Sequence, residues 1–190
     1  MVPDADTTAA DHQRLTDLFR RHGNAIYAYA SDRLSRDDAQ DLVAEVFVVA
    51  WRRLETIRVG DERPWLFGVA RRLLLQQHRH RADQSALQNR LNSTVEHDPG
   101  PGGGPLWEGR TEVVAALAKL PEADREALLL RYWYDLSSGE SAKVLGCTAA
   151  TFAVRLHRAR RRFKKLYEAH SIDTHLVPDS SLTAYMRGLQ

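Results

Sequence analysis

The stretch Ser137-Ser138-Gly139-Glu140-Ser141-Ala142-Lys143-Val144-Leu145-Gly146-Cys147-Thr148-Ala149-Ala150-Thr151-Phe152-Ala153-Val154-Arg155-Leu156-His157-Arg158-Ala159-Arg160-Arg161-Arg162 decides the fold. Ser137, with Glu140 three positions on, is a capping box that opens a short helix to Leu145. Gly146 stands where a helix ends in left-handed backbone, and Thr148 caps a longer helix reaching about Tyr167. A short helix, a glycine turn and a longer basic helix make a helix-turn-helix. Phe152, Leu156, Ala159 and Phe163 fall on one face of the second helix and are expected to pack inward. The opposite face carries Ala150, Val154, His157, Arg158 and Arg161, with Thr151 beside it. Residues at the start of such a helix meet base edges in a major groove, and the arginines after them neutralise phosphates. Ala150 and Val154 can offer a thymine methyl group only apolar contact, so few direct base hydrogen bonds are expected here.

Working outward, Thr111 to Leu120 reads as a helix on Val113, Val114, Leu117 and Leu120, and Pro121-Glu122 restarts one carrying Leu128, Leu129, Tyr132 and Trp133. Before these stands His97-Asp98-Pro99-Gly100-Pro101-Gly102-Gly103-Gly104-Pro105, which can neither propagate a helix nor fill a strand ladder. Further upstream, Leu15, Leu18, Phe19, Ile26 and Tyr29 recur at helical spacing, with an interruption expected at His22-Gly23-Asn24. Ser35-Arg36-Asp37-Asp38 opens an amphipathic helix on Leu42, Val46, Val49, Trp51 and Leu54. Arg58-Val59-Gly60-Asp61 ends it, and Pro64 suits the first turn of a third helix from Trp65 to about Arg81. The fold expected is all-α: two small helical domains joined by a flexible linker, the second containing the helix-turn-helix. The divisions are 11–82, a linker over 83–105, 106–168, and a tail over 169–190 in which Leu182, Tyr185, Met186 and Leu189 could form one short helix. The two units are expected to stand apart.

The net charge of +2 conceals an uneven distribution. Arg63 to Arg81 and Ser141 to Tyr167 are both rich in Arg and Lys and free of acids, which points to two polyanion contacts. In the first, Trp65 and Phe67 interleave with Arg71, Arg72, Gln76 and Arg79, a mixture suited to melted DNA, although both aromatics also suit a core.

Other classes fare worse. No apolar run approaches the roughly 18 residues of a membrane span. The polar start Met1-Val2-Pro3-Asp4 does not read as a signal peptide, so a cytoplasmic location is expected. The single cysteine, Cys147, excludes an internal disulfide framework and fits a small buried residue better than a nucleophile. His78 and His80 do not share a helix face as metal ligands would, and Gly102-Gly103-Gly104 lacks the context of a phosphate loop. No catalytic residue, metal site or cofactor is expected, and the protein reads as a non-enzyme.

Three blocks carry a resemblance. The chain resembles an extracytoplasmic-function (ECF) RNA polymerase sigma factor of the sigma-70 superfamily over about Leu15 to Tyr167. Asp41-Leu42-Val43-Ala44-Glu45-Val46-Phe47-Val48-Val49-Ala50-Trp51 is similar to the family's polymerase-binding helix. Arg63-Pro64-Trp65-Leu66-Phe67-Gly68-Val69-Ala70-Arg71 is similar to its promoter-melting and −10-reading block, and Leu145 to Arg160 to its −35-reading helix-turn-helix. The resemblance implies core RNA polymerase as partner, through its β′ clamp helices and β-flap, together with promoter DNA and an anti-sigma factor. It implies polymerase contacts at Asp41, Glu45, Trp51 and Arg52, and −10 contacts at Arg63, Trp65, Arg71, Arg72, Gln76 and Arg79. It implies −35 contacts at Thr148, Ala150, Thr151, Val154, Arg155, His157, Arg158, Arg161 and Arg162. The chain departs from the pattern at Ala44 (usually Gln), Arg72 (Asn), Ser141 (Ile, so that the second domain is expected to be loosened) and Ala153-Val154 (Lys-Ser). A stand-alone helix-turn-helix regulator with an N-terminal sensing domain is the alternative, and it leaves the first two blocks unexplained.

Overall fold

A computed structural model describes residues 5–91 and 111–173. The described residues form helices and turns with no strand. The N-terminal unit is α1 (Ala5–Ser31), α2 (Arg36–Arg52), a 3-10 turn (Leu54–Thr56) and α3 (Glu62–Leu91). The C-terminal unit is α4 (Thr111–Ala118), α5 (Glu122–Leu128) running into a π-helical turn (Leu129–Trp133), α6 (Ser138–Leu145) and α7 (Ala149–Asp173).

Local signals place the helix ends. Ser35, in extended backbone, accepts from Asp38 N at 3.3 Å and starts α2. The box at Ser137 closes in both directions: Glu140 N donates to Ser137 Oγ at 3.2 Å, and Ser137 N to Glu140 Oε2 at 2.7 Å. Burial would raise the Glu140 carboxyl, but the hydrogen bonds from Ser137 and the nearby charges of Arg63 and Lys143 together hold the group below the usual carboxylate range. Gly146 closes α6 at φ 65°, and Thr148 Oγ1 accepts from Thr151 N at 3.1 Å to open α7. A side chain at Gly146 would meet open space, so the demand for glycine there is one of backbone conformation.

Three expectations need correction. Helix α1 runs unbroken through His22-Gly23-Asn24. A mid-helix glycine costs only about 1 kcal/mol, and the burial of Leu18 and Ile26 on either side outweighs that. Helix α3 continues to Leu91, past the point at Asp83 where the linker was expected to begin. The rest of that linker, residues 92–105, and the tail from 174 onward lie outside the described residues. Most consequentially, the two units do not stand apart. One continuous core contains Leu18, Leu42, Val46 and Phe67 from the first unit and Leu130, Leu136, Phe152 and Phe163 from the second.

The seam is both aromatic and polar. Tyr29 of α1, Phe67 of α3 and Tyr134 after the π turn form a triangle with centroids 5.3, 5.3 and 5.5 Å apart. Their tilted and edge-on rings gain about 0.5–1.5 kcal/mol per pair beyond burial. Tyr29 Oη donates to Glu126 Oε1 at 3.0 Å, and Tyr134 Oη donates to Asp32. Burial pushes both phenols well above their usual range, and the neighbouring carboxylates add to the shift although Arg33 opposes it, so both remain donors at neutral pH.

Ser141 is fully buried and its hydroxyl has no hydrogen-bond partner. Removing an orphaned hydroxyl relieves a desolvation cost, so Ser141→Ala should stabilise the chain by about 1 kcal/mol in urea unfolding; a loss would show that the hydroxyl is satisfied. Ser137→Ala, which opens the capping box, should cost about 1 kcal/mol in the same measurement.

Candidate nucleic-acid and protein interfaces

Helix α7 presents the face that its periodicity predicts. Phe152, Leu156, Ala159 and Phe163 are buried, and Thr148, Ala150, Thr151, Val154, His157, Arg158 and Arg161 are exposed. Val154 is 52% exposed, so part of its apolar side chain is open to solvent. Arg155 is half-buried at the edge of this face. Arg162 differs: its guanidinium pairs with Asp124 of α5, a carboxylate only 9% exposed. The pairing offsets the cost that an unpaired acid would carry at that depth. Arg160 is similarly turned toward the Tyr132 hydroxyl.

In the first basic stretch the six candidates divide. Arg72, Gln76 and Arg79 are exposed along α3, and Arg72 Nε donates to Gly68 O at 3.2 Å in its own helix. Trp65 is half-buried, while Phe67 is wholly core. Arg71 and Arg63 are engaged across the seam. Arg71 Nε donates to Glu126 Oε1 and Oε2 at 3.0 and 3.1 Å. Arg63 donates to the carbonyls of Tyr134 and, at 3.3 Å, Asp135, a residue in left-handed backbone at φ 47°. The loop ahead of α3 is pinned by Arg14, which donates to Ile57 O, and by Glu62, which accepts from Gly60 N at 2.7 Å where Gly60 turns at φ 89°.

Helix α2 supplies a third surface. Asp41, Glu45, Val48 and Arg52 form one exposed stripe. Trp51 flanks it, 38% exposed, with the His12 ring of α1 at 4.7 Å. Phe19, 53% exposed and edge-on to Phe47 at 5.0 Å, extends the apolar ground onto α1. Sequence reasoning missed Phe19 and Val48. Both sit at helical spacing beside core positions, and only their exposure separates them from core.

Among the described residues no helix is long and apolar enough to cross a membrane.

Family models for sigma-70 region 2 and sigma-70 region 4 match residues 18–84 and 110–163. EcfG of Rhodopseudomonas palustris, an ECF RNA polymerase sigma factor, is 30% identical, covering 80% of this chain and 83% of its own. SigM of Bacillus subtilis, with the same description, is 25% identical, covering 80% of this chain and 94% of its own. Among solved structures, CnrH in complex with the cytosolic domain of CnrY aligns at TM-score 0.56 and 26% identity, covering 82% of this chain and 88% of the other.

The exposed and paired arginines of α7 should behave differently. Arg158→Ala with Arg161→Ala should weaken duplex DNA binding and reduce the slope of log affinity against log salt by about 2. Arg162→Ala should lower the thermal midpoint and leave that slope nearly unchanged. Equal slopes in the double variant and the parent would remove Arg158 and Arg161 from the interface.

Proposed function

This chain belongs to the sigma-70 family as an RNA polymerase sigma factor of the ECF type, and from that premise we propose how its surfaces divide the work of initiation. The N-terminal unit, residues 11–82, takes core polymerase and the −10 element. The C-terminal unit, residues 106–168, takes the −35 element. The observation that carries this reading is the pair of basic helices, α3 and α7, one in each family-matched region, each with an arginine-bearing exposed face.

On α2, Asp41 and Glu45 offer carboxylates to basic residues of the β′ clamp helices, while Trp51 and Arg52 extend the contact. Exposed charges of this kind steer and orient more than they bind, so the apolar ground of Val48 and Phe19 supplies the desolvated centre. The loop over 56–63 and the N-terminal part of α3 hold an unpaired base of the −10 strand, with Trp65 as stacking surface and Arg72, Gln76 and Arg79 along the backbone. Helix α7 enters the −35 major groove through Thr148, Ala150, Thr151, Val154 and His157, with Arg155, Arg158 and Arg161 on phosphates. The C-terminal unit rests on the β-flap. Polymerase makes the second DNA capture intramolecular and so raises its effective concentration.

The protein acts by binding alone, without a cofactor, and works in the cytoplasm where polymerase is. CnrH was solved with the cytosolic domain of CnrY bound, and an anti-sigma factor is the corresponding partner proposed for this chain. A stand-alone regulator is not favoured, because the region 2 match accounts for the half it leaves unexplained.

Core polymerase supplied with the purified chain should initiate at discrete start sites bearing two upstream elements; initiation that proceeds equally without the chain would refute the assignment. Asp41→Lys with Glu45→Lys should weaken polymerase association at least tenfold while helix content by circular dichroism stays constant, and unchanged association would remove that stripe from the contact.

A further inference from the structure

The loop between α2 and α3 carries the most exposed large apolar side chain among the described residues: Val59 is 89% exposed. Val59 sits on a built turn. Asp61 N donates to Arg58 O at 3.1 Å and closes a β-turn, in which Gly60 takes φ 89° at the third position, the left-handed place of a type II turn. Both ends of the turn are fixed. Ile57 is 2% exposed in the core, and Asp61 O accepts from Trp65 N at 3.1 Å as α3 begins.

Two side chains outside the turn lock it. Glu62 Oε2 accepts from Gly60 N at 2.7 Å. Arg14 of α1, 43 residues ahead of its acceptor in the chain, sends its guanidinium to Ile57 O, the carbonyl immediately before the turn. Lys143 of α6 also reaches Asp61, at 2.6 Å, but Arg14 and Glu62 act from within the N-terminal unit. A short surface segment left to itself samples many conformations, and ordering it on contact with a ligand costs affinity. This one is arranged beforehand, and the arrangement keeps a valine in water with no return in the free chain. The face of an unstacked base is an apolar surface that such a side chain can cover.

We propose that Arg14 is a positioning residue for −10 capture: through Ile57 O it holds the Arg58–Asp61 turn in the conformation that presents Val59 to the unpaired base. The inference rests on the assignment of the loop over 56–63 made above, and extends it to a side chain of α1 that never touches DNA. Val59 covers the base; Arg14 keeps Val59 in place. Loss of the Arg14 hydrogen bond lowers the fraction of chains whose turn is formed, and apparent affinity for the −10 strand falls with that fraction. A loosened turn also fits the four bases more nearly alike, so discrimination among them declines.

The test uses the full chain assembled with core polymerase. Arg14→Met keeps a long, helix-favouring side chain and removes the donor, and Arg14→Lys restores one. Gly60→Ala disturbs the same turn independently, since a side chain there meets open space and only the left-handed backbone resists it. Fluorescence anisotropy measures binding of a short single-stranded DNA that carries the −10 sequence of a promoter mapped in the transcription assay, with each of the four bases in turn at the unpaired position. Arg14→Met and Gly60→Ala should each weaken the preferred strand about tenfold and bring the four bases closer together. Arg14→Lys should recover part of that loss, and Val59→Ser, which leaves the turn but removes the apolar cover, should weaken the same strand. Association with core polymerase and affinity for a −35 duplex should be unchanged in all four variants. An Arg14→Met chain that discriminates as the parent does overturns the proposal. So does a loss that Arg14→Lys fails to recover, a loss that −35 duplex binding or core association shares, or a Val59→Ser chain of parental affinity. A parent chain with no preference among the four bases refutes the −10 assignment itself, and this inference with it.

Discussion

The triangle of Tyr29, Phe67 and Tyr134 is the contact on which the arrangement of the whole chain depends. It joins α1 and α3 to the end of the π turn, and two of its rings carry polar links across the seam, Tyr29 to Glu126 and Tyr134 to Asp32. Without the rings, the Arg71–Glu126 pair would be a solvated surface contact of small worth, as the exposed Lys143–Asp61 pair is. With them, the Glu126 carboxylate becomes a partly buried hub that accepts from both Tyr29 and Arg71. Apolar burial supplies the adhesion, and the polar pairs fix the register in which the units meet.

That division of labour explains which features were legible in the sequence. Helix ends are local events. A hydroxyl three residues before an acid, or a glycine after a periodic run, has its partner within one turn, so Ser35, Ser137, Gly146 and Thr148 could be placed without tertiary knowledge. The two faces of α7 were legible for the same reason, because helical periodicity alone separates Phe152 and Leu156 from Val154 and His157. The seam was not legible. Arg71 and Glu126 lie 55 residues apart, and Tyr134 and Asp32 lie 102 apart, with no repeat or spacing rule connecting them. The interruption expected in α1 failed for a related reason: local propensity at His22-Gly23-Asn24 is weaker than the packing on either side of it.

Charge in a sequence also does not announce its partner. Arg161 and Arg162 are adjacent, and composition treats them alike. One faces water and the other caps the buried Asp124. Arg63 and Arg71 belong to a basic stretch of the sequence, but their acceptors across the seam came only with the fold. The π turn at Leu129–Trp133 contributes here: its wider winding carries the chain into Tyr134 and Asp135, whose carbonyls reach Arg63.

Helix α3 keeps its course to Leu91 and leaves only the residues before Thr111 to join it to α4. A segment of that length cannot exceed about 60–70 Å however it is drawn out. The chain therefore carries its own ruler. However the two units are arranged, the covalent path between Leu91 and Thr111 sets the greatest distance at which the ends of α3 and α4 can stand.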